Sequence, residues 1–259
     1  MRALKRLLKR LVGFLGYEVR RHVPPPEPGA ANRPVGNLDS FLMDLRARGF
    51  APRGMVDVGA NRGEWTQWAW AVFPGIPSLM IEPQAEFRES LERLAGTVAG
   101  SHVVIAGAGA SAGELVQTVY DDTYASSFLL PTEPALLASG RQRRVPIVTL
   151  DATLAGIAGF HPDLVKLDVE GFELEVLAGA PSIFDRAEIF IIETSLYPFK
   201  PGQPVSREVI EYMAARGFEI YDITSTLRRP LDGALGVVDF AFARRAGRLR
   251  SDGRWSSAP

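Results

Sequence analysis

Residues 165–180 read VKLDVEGFELEVLAGA, and the point where strand gives way to helix inside this run decides the fold. Leu164, Val165 and Leu167 form a short apolar run that stops at Asp168. From Phe172 to Ala178 the apolar positions recur at helical spacing, with Gly171 between the two segments. A strand, Leu164 to Asp168, therefore turns through glycine into a helix. Four carboxylates, Asp168, Glu170, Glu173 and Glu175, lie at or just past the strand's end. The last two fall in the first helical turn, where the helix dipole favours negative charge. Asp168 and Glu170 have no such local reason and point to a site.

The same strand-then-helix rhythm extends outward on both sides. Strands are expected at Met55 to Val58, Ser78 to Glu82, His102 to Ala106, Ile189 to Glu193, Phe218 to Ile223 and Val237 to Ala243. Helices are expected at Trp65 to Val72, Ala85 to Leu94 and Arg207 to Arg216, with another around Leu38, Phe41, Leu42 and Leu45 capped by Asn37 or Asp39. Short apolar strands alternating with helices predict an α/β fold, a doubly wound, mainly parallel, seven-stranded sheet of the Rossmann-like kind. Two further strand-like runs, ELVQTVY and RVPIVTL, flank the polar loop DDTYASSFLLPTEP before Leu164.

The chain has 259 residues, 46% of them hydrophobic, and no cysteine, which excludes disulfides and thiolate metal or redox sites. Its net charge of −1 conceals an uneven distribution. Residues 1–23 and 244–259 are basic, leaving 17 basic and 28 acidic side chains between residues 24 and 243. An acidic core argues against a nucleic-acid partner, which would call for a basic stripe. Residues 1–23, MRALKRLLKRLVGFLGYEVRRHV, place Leu4, Leu7, Leu8, Leu11 and Leu15 on one helical face and Lys5, Arg6, Lys9 and Arg10 largely on the rest. Such an N-terminal amphipathic helix is too short and too charged to span a bilayer. It can lie on an anionic membrane surface, or pack on its own domain or a second subunit. A proline-rich linker, residues 24–37, leads to the body at 38–243, and the basic tail 244–259 is expected to be disordered. The expected location is cytoplasmic, with peripheral contact at the inner face of the membrane if the helix binds lipid.

In a doubly wound sheet the ligand crevice lies outside the carboxyl ends of the strands. Asp57 near the end of the first strand, Glu82, Asp168 and Glu193 would all collect there. The first strand runs into VDVGANRGEWTQW, a glycine turn opening a helix, in which Gly59 and Gly63 let the backbone approach a ligand. Glu82, about twenty residues on, suits a ribose diol. A nicotinamide-dependent dehydrogenase would use the same parts, but the spacing is Gly-x-Asn-x-Gly and the acids would repel a pyrophosphate. A cofactor with adenine, ribose and a positive centre suits an acidic crevice better, and S-adenosylmethionine has all three.

DVGANRGEWT, IEPQ, VKLDVEGFELEVLAGA and IFIIETS, in this order, resemble the FkbM-type methyltransferases, a class I group dependent on S-adenosylmethionine. The resemblance covers about residues 38–243, and its most specific part is the DVEG block. It implies a seven-stranded sheet whose last strand is antiparallel, and O-methylation of a hydroxyl on a sugar, glycan or related natural product. It implies that Asp57, Gly59, Ala60, Asn61 and Gly63 shape the amino-acid end of the cofactor site, that Glu82 holds the ribose, and that Pro83, Gln84, Ala106, Gly107 and Ala108 border the adenine. It places Asp168 at the methyl-transfer centre and makes the extra hairpin with its ASSFL loop a lid.

A methyl transfer to a hydroxyl requires that the acceptor be held in line and its proton removed. His22, His102 and His161 all lie away from strand carboxyl ends, leaving Asp168, Glu170 and Glu193 as candidate catalytic carboxylates, with Lys166 on the same strand face as Asp168. A carboxylate needs a raised pKa for this work, or a metal must acidify the alcohol. The metal alternative is Mg²⁺ held by Asp168 and Glu193. Past the fifth strand, Tyr197, Phe199 and Lys200 can stack on a sugar or fix their own proline-rich loop. A non-catalytic module keeping the fold and using its basic helix as an anchor is the alternative from outside enzymology.

Overall fold

The structure is a computed structural model that describes residues 33–121 and 125–254. The expected helix of residues 1–23 and most of the linker lie outside the described residues. The first described element, α1 (Leu38–Ala47), starts at Asn37, whose Oδ1 accepts the Ser40 N–H at 2.8 Å and satisfies one orphan donor of the helix. Then come β1 (Met55–Val58), α2 (Glu64–Val72), β2 (Ser78–Ile81), α3 (Arg88–Ala95) after a single 3₁₀ turn, and β3 (His102–Val104). An inserted unit of β4 (Gly107–Ala108), β5 (Gly113–Thr118), α4 (Pro134–Ala138) and β6 (Gln142–Val148) follows. The chain returns through α5 (Leu150–Ala155) to β7 (Leu164–Leu167), α6 (Glu173–Ala178), β8 (Ile189–Ser195), α7 (Ser206–Ala215), β9 (Phe218–Arg228) and β10 (Leu235–Arg244).

The main sheet has seven strands in the order β3-β2-β1-β7-β8-β10-β9. Strands β3, β2, β1, β7 and β8 are parallel, and β10 runs antiparallel to both β8 and β9. The order reverses between β1 and β7 relative to the chain, so their carboxyl ends open a crevice at that switch point. The expected α/β class and the antiparallel last strand are both present. β9 runs to Arg228, further than expected, because its distal TSTLR lacks the apolar run that marks a strand in sequence, and β10 gains Leu235, Gly236 and Arg244 by pairing with it.

Strand periodicity sorts the core onto two faces. Val56, Val58, Val165, Leu167, Phe190 and Ile192 pack on one side, and Met55, Leu164, Ile189, Ile191, Ala241 and Ala243 on the other, beneath α1 and α2. Position parity then fixes the polar residues: Asp57, Lys166, Glu193 and Asp239 all belong to the face that α1 and α2 cover. At the carboxyl edge of that face the apolar core gives way to charge.

The inserted unit forms a three-stranded sheet in the order β4-β6-β5. Arg143 of β6 clasps Glu86 beside α3 with two bonds of 2.8 and 2.7 Å, tying the insert to the body. The C-terminal tail is structured further than expected: Arg245 pairs with Glu219 at 2.7 Å, Leu249 packs on the core and Arg250 donates to the Ile220 carbonyl at 2.9 Å. Likewise Gly36, assigned to the linker, donates its N–H to the Ile223 carbonyl at 2.9 Å, so the domain starts before residue 38.

Candidate active site

The glycine turn is built for close approach. Gly59 has φ +81°, and a Cβ there would lie 1.8 Å from the Asp168 carbonyl oxygen, so a side chain would drive the ends of β1 and β7 apart. Asn61, also in the left-handed region at φ 46°, aims its N–H at Glu82 Oε2, 2.7 Å away. Gln84 N–H donates to Glu82 Oε1 at 2.9 Å. Burial pushes the Glu82 carboxyl up to about 7 against these two donors. Two backbone donors on opposite oxygens orient the carboxylate at the mouth of β2.

A cavity of about 350 Å³ opens from this turn. Gly59, Ala60, Asn61, Glu82, Pro83, Gln84, Ala106, Gly107, Ala108, Asp168 and Glu170 all line it. Asp57 and Gly63 do not. The Asp57 carboxylate is buried beneath the turn, where it accepts the Thr66 hydroxyl at 2.7 Å and fastens α2 to β1. Burial raises it to about 6. Gly63 packs on Leu94 and Leu91, and a Cβ there would meet Leu94 at 2.4 Å. Both residues support the turn from behind.

At the other end of the cavity charge replaces apolar surface. Lys166 is 3% exposed, and its ammonium lies 3.0 Å from Asp168 Oδ2 and 3.9 Å from Asp239 Oδ2. Burial alone would lower its pKa, but Asp168, Asp239 and Glu193 outweigh that and hold it raised. Asp239 on β10 lines the cavity with Thr224 and Ser225 of β9. Burial raises the Asp239 pKa, with Lys166 opposing. Glu193 sits two residues inside β8, paired in register with Asp239, and is absent from the cavity wall. Burial first, and then Asp168, pushes its carboxyl up to about 9. Glu193 thus stands behind the site, holding its proton more tightly than a free carboxylate, and not at the strand's open end.

The remaining acids of the DVEG block have separate tasks. Glu170, at φ 55°, pairs with Lys200 at 2.5 Å, and its carbonyl accepts the Ser127 hydroxyl at 3.0 Å. It clasps two loops over the cavity. Glu173 is buried at 3% exposure, accepts the Gly171 N–H at 3.0 Å and is pushed by burial up to about 7. That differs from a first-turn acid facing solvent, because α6 starts against the sheet. Tyr197 and Phe199 are partly exposed, 5.7 Å apart between ring centres, with the Arg229 guanidinium 4.3 Å above Tyr197.

A divalent ion on Asp168 and Glu193 does not fit this arrangement. The Lys166 ammonium takes the position of a counter-cation, and among the described residues no group of three or more His, Asp or Glu side chains is placed to hold a metal. Sequence reasoning also missed Asp239, Gln117, Ser126 and Trp65, all on the cavity wall. Asp239 reads in sequence as an ordinary polar position of a late strand; only the β8–β10 register brings it to Lys166.

A seven-stranded sheet with one antiparallel strand, opened by a glycine turn against a buried carboxylate, is the class I methyltransferase fold. Residues 57–220 match the methyltransferase FkbM domain, and the chain belongs to that family. Among solved structures, it is similar to the methyltransferase FkbM of Methylobacillus flagellatus KT, with 18% identity and a TM-score of 0.49 over 80% of this chain and 48% of that one. The chain thus spans about half the length of that relative. It is also similar to the O-methyltransferase TomG of Streptomyces achromogenes, solved in complex with S-adenosylmethionine, with 17% identity and a TM-score of 0.44 over 85% and 83% of the two chains. A third is the 1,6-didemethyltoxoflavin-N1-methyltransferase of Burkholderia thailandensis, with 14% identity and a TM-score of 0.40 over 80% and 76%. No curated protein sequence matches the chain. Among the described residues no helix is long and apolar enough to cross a membrane.

Proposed function

We infer that the protein is an S-adenosylmethionine-dependent O-methyltransferase acting on a hydroxyl of a sugar, glycan or related natural product. The observation that carries this reading is a single cavity joining two unlike ends, one shaped for a nucleoside and one lined by Asp168 and Asp239 around a buried lysine. The cavity walls suit S-adenosylmethionine. Gly59 leaves a cradle that any Cβ would fill, and Trp65 Nε1, Gln117 Oε1 and Ser126 Oγ are buried without a hydrogen-bond partner among the described residues. Glu82 would hold the ribose hydroxyls, and the Trp65 indole N–H is a donor for a carboxylate. When bound, S-adenosylmethionine supplies an electrophilic methyl group.

The chain's own residues handle the acceptor. Thr224 and Ser225 offer hydroxyls to orient a polyol, and Asp239, with its pKa raised by burial, is the group suited to accept the acceptor's proton. Lys166 stands where the sequence reading allowed a metal, and its ammonium lowers the cost of the negative charge that develops on the acceptor oxygen. Asp168 is held by Lys166 through Oδ2, which fixes its carboxylate at the junction of the two ends. Loops clasped through Glu170 and Lys200 exclude water.

Residues 1–23 supply the second part of this reading. A basic amphipathic segment preceding the domain suits an anionic membrane surface, where a lipid-linked acceptor would be met, at the cytoplasmic face. Loss of binding to anionic liposomes on deleting residues 1–23 is the expected result; unchanged binding would reject the membrane role.

The deciding experiment is calorimetric titration of S-adenosylmethionine and, separately, NAD into the wild type and Glu82→Ala. Saturable binding of S-adenosylmethionine alone, weakened in the variant, is expected, followed by transfer of labelled methyl in an acceptor screen that starts with glycans. Binding of neither would leave a non-catalytic module.

A further inference from the structure

The segment after β3, IAGAGA at residues 105–110, has no polar side chain with which to read a base. Half of its backbone is tied to the inserted sheet: Gly107 and Ala108 pair with Ile147 and Val148 of β6, and Gly109 N–H donates to the Val148 carbonyl at 3.0 Å. This stretch can form an apolar wall for a purine but offers no side chain that distinguishes one purine from another.

The inserted unit supplies what the wall lacks. Thr118 of β5 and Ser127 form an antiparallel bridge. Side chains alternate across a strand, so Gln117 and Phe128, which flank that bridge, share one face with Ser126. All three line the cavity. Gln117 is 2% exposed and Ser126 9%, and neither Gln117 Oε1 nor Ser126 Oγ has a partner among the described residues. Buried polar atoms of this kind are costly unless a ligand completes them. An amide presents one acceptor and one donor side by side, the pattern that matches the amino group and adjacent ring nitrogen of adenine.

We propose that Gln117, on the inserted sheet, is the residue that selects adenine in the cofactor, accepting a hydrogen bond from its 6-amino group, with Ser126 donating to a ring nitrogen. The inserted unit is then part of the nucleoside site and confers its base specificity. This rests on the reading that the cavity binds S-adenosylmethionine, and it names the side chains that recognise the base.

The test uses binding, independent of any acceptor. S-adenosylhomocysteine and its 6-deamino analogue, in which hydrogen replaces the amino group, are titrated calorimetrically into the full chain and into Gln117→Leu and Ser126→Ala. The wild type is expected to prefer the adenosyl ligand by about 10- to 100-fold, because the analogue leaves the buried amide oxygen unpaired. Gln117→Leu should shrink that preference to within about threefold, whereas Ser126→Ala should weaken both ligands and keep the preference. The ratio is the readout, since a variant that merely loosens the fold weakens both ligands alike. Equal affinities in the wild type, or a preference that survives Gln117→Leu, would overturn the proposal while leaving the cofactor assignment standing. Failure of the wild type to bind S-adenosylhomocysteine at all would overturn both.

Discussion

The two ends of the cavity are made in different ways. The turn at Gly59–Gly63 and the Glu82 carboxylate come from one strand-turn-helix unit and the strand beside it, and their geometry is set by backbone: left-handed φ angles, a missing Cβ and two N–H donors. The acidic end is assembled from side chains on β7, β8, β9 and β10, held by a buried ammonium and a strand register. The first end tolerates no added atom, whereas the second tolerates no lost charge. Substitution at each end should therefore fail in its own way.

The largest effect is expected at the backbone end. Gly59→Ala places a methyl 1.8 Å from the Asp168 carbonyl at φ +81°, so β1 and β7 cannot both keep their positions. A stability loss of roughly 4 kcal/mol or more is expected from urea unfolding. A loss below about 1 kcal/mol would mean the turn is more plastic than its angles imply.

Next comes the charge that holds the other end. Lys166→Met removes the ammonium from among Asp168, Asp239 and Glu193, and a loss of roughly 3–5 kcal/mol is expected at pH 8. The sign with pH follows from the carboxylates. Without their counter-ion they bind protons more readily in the folded state, so the loss should shrink towards pH 5. A loss equal at both pH values would reduce Lys166 to a packing role. In the same region, Asp239→Asn should slow methyl transfer by about 10²-fold or more while leaving S-adenosylhomocysteine affinity intact, whereas Glu193→Gln should change neither rate nor affinity.

The Glu82 carboxylate links the two logics. Its pKa is raised from 4.5 to about 7 by burial, so its stabilising contribution is full below about pH 4.5 and is lost as the pH rises through 7. Asp57 and Glu173, raised to about 6 and about 7, act in the same direction. The ligand-free protein should therefore lose thermal stability between pH 5 and 8. Glu82→Gln removes the charge but sets an NH₂ against one of the two backbone donors, so it should be about 1–2 kcal/mol less stable than the wild type near pH 4, with that deficit shrinking towards pH 8, and should weaken S-adenosylhomocysteine binding. A deficit equal at pH 4 and pH 8 would show the charge to be solvated.

The backbone end was legible in sequence because its parts are local: a glycine pattern after an apolar strand, and an acid at the end of the next. Glu193 was legible as an acid near a strand end, yet its strand continues two residues further and turns it inward. Asp239 and Gln117 carried no local signal. The first depends on which β10 residue faces Glu193, the second on an insertion folding back onto the main sheet. The start of the helix already separates Glu170 from Glu173 in sequence, but not their partners: one occupies a left-handed position and pairs with Lys200, while the other begins a helix pressed on the core.

The smallest effect concerns the clasp between the loops. Lys200 and Glu170 are 16% and 24% exposed, so their pair is partly screened, and a double-mutant cycle of Glu170→Gln with Lys200→Met should give a coupling of about 1 kcal/mol that falls with added salt. The loop has a second anchor. Gln203 accepts the Lys200 N–H at 3.0 Å and donates to Ser195 Oγ at 2.8 Å, and neither bond depends on the ion pair. A coupling near zero would assign the loop's position to Gln203. A coupling of the expected size, with faster release of S-adenosylhomocysteine in both single variants, would make the Glu170 carboxylate a closure that the acidic end lends to the nucleoside end.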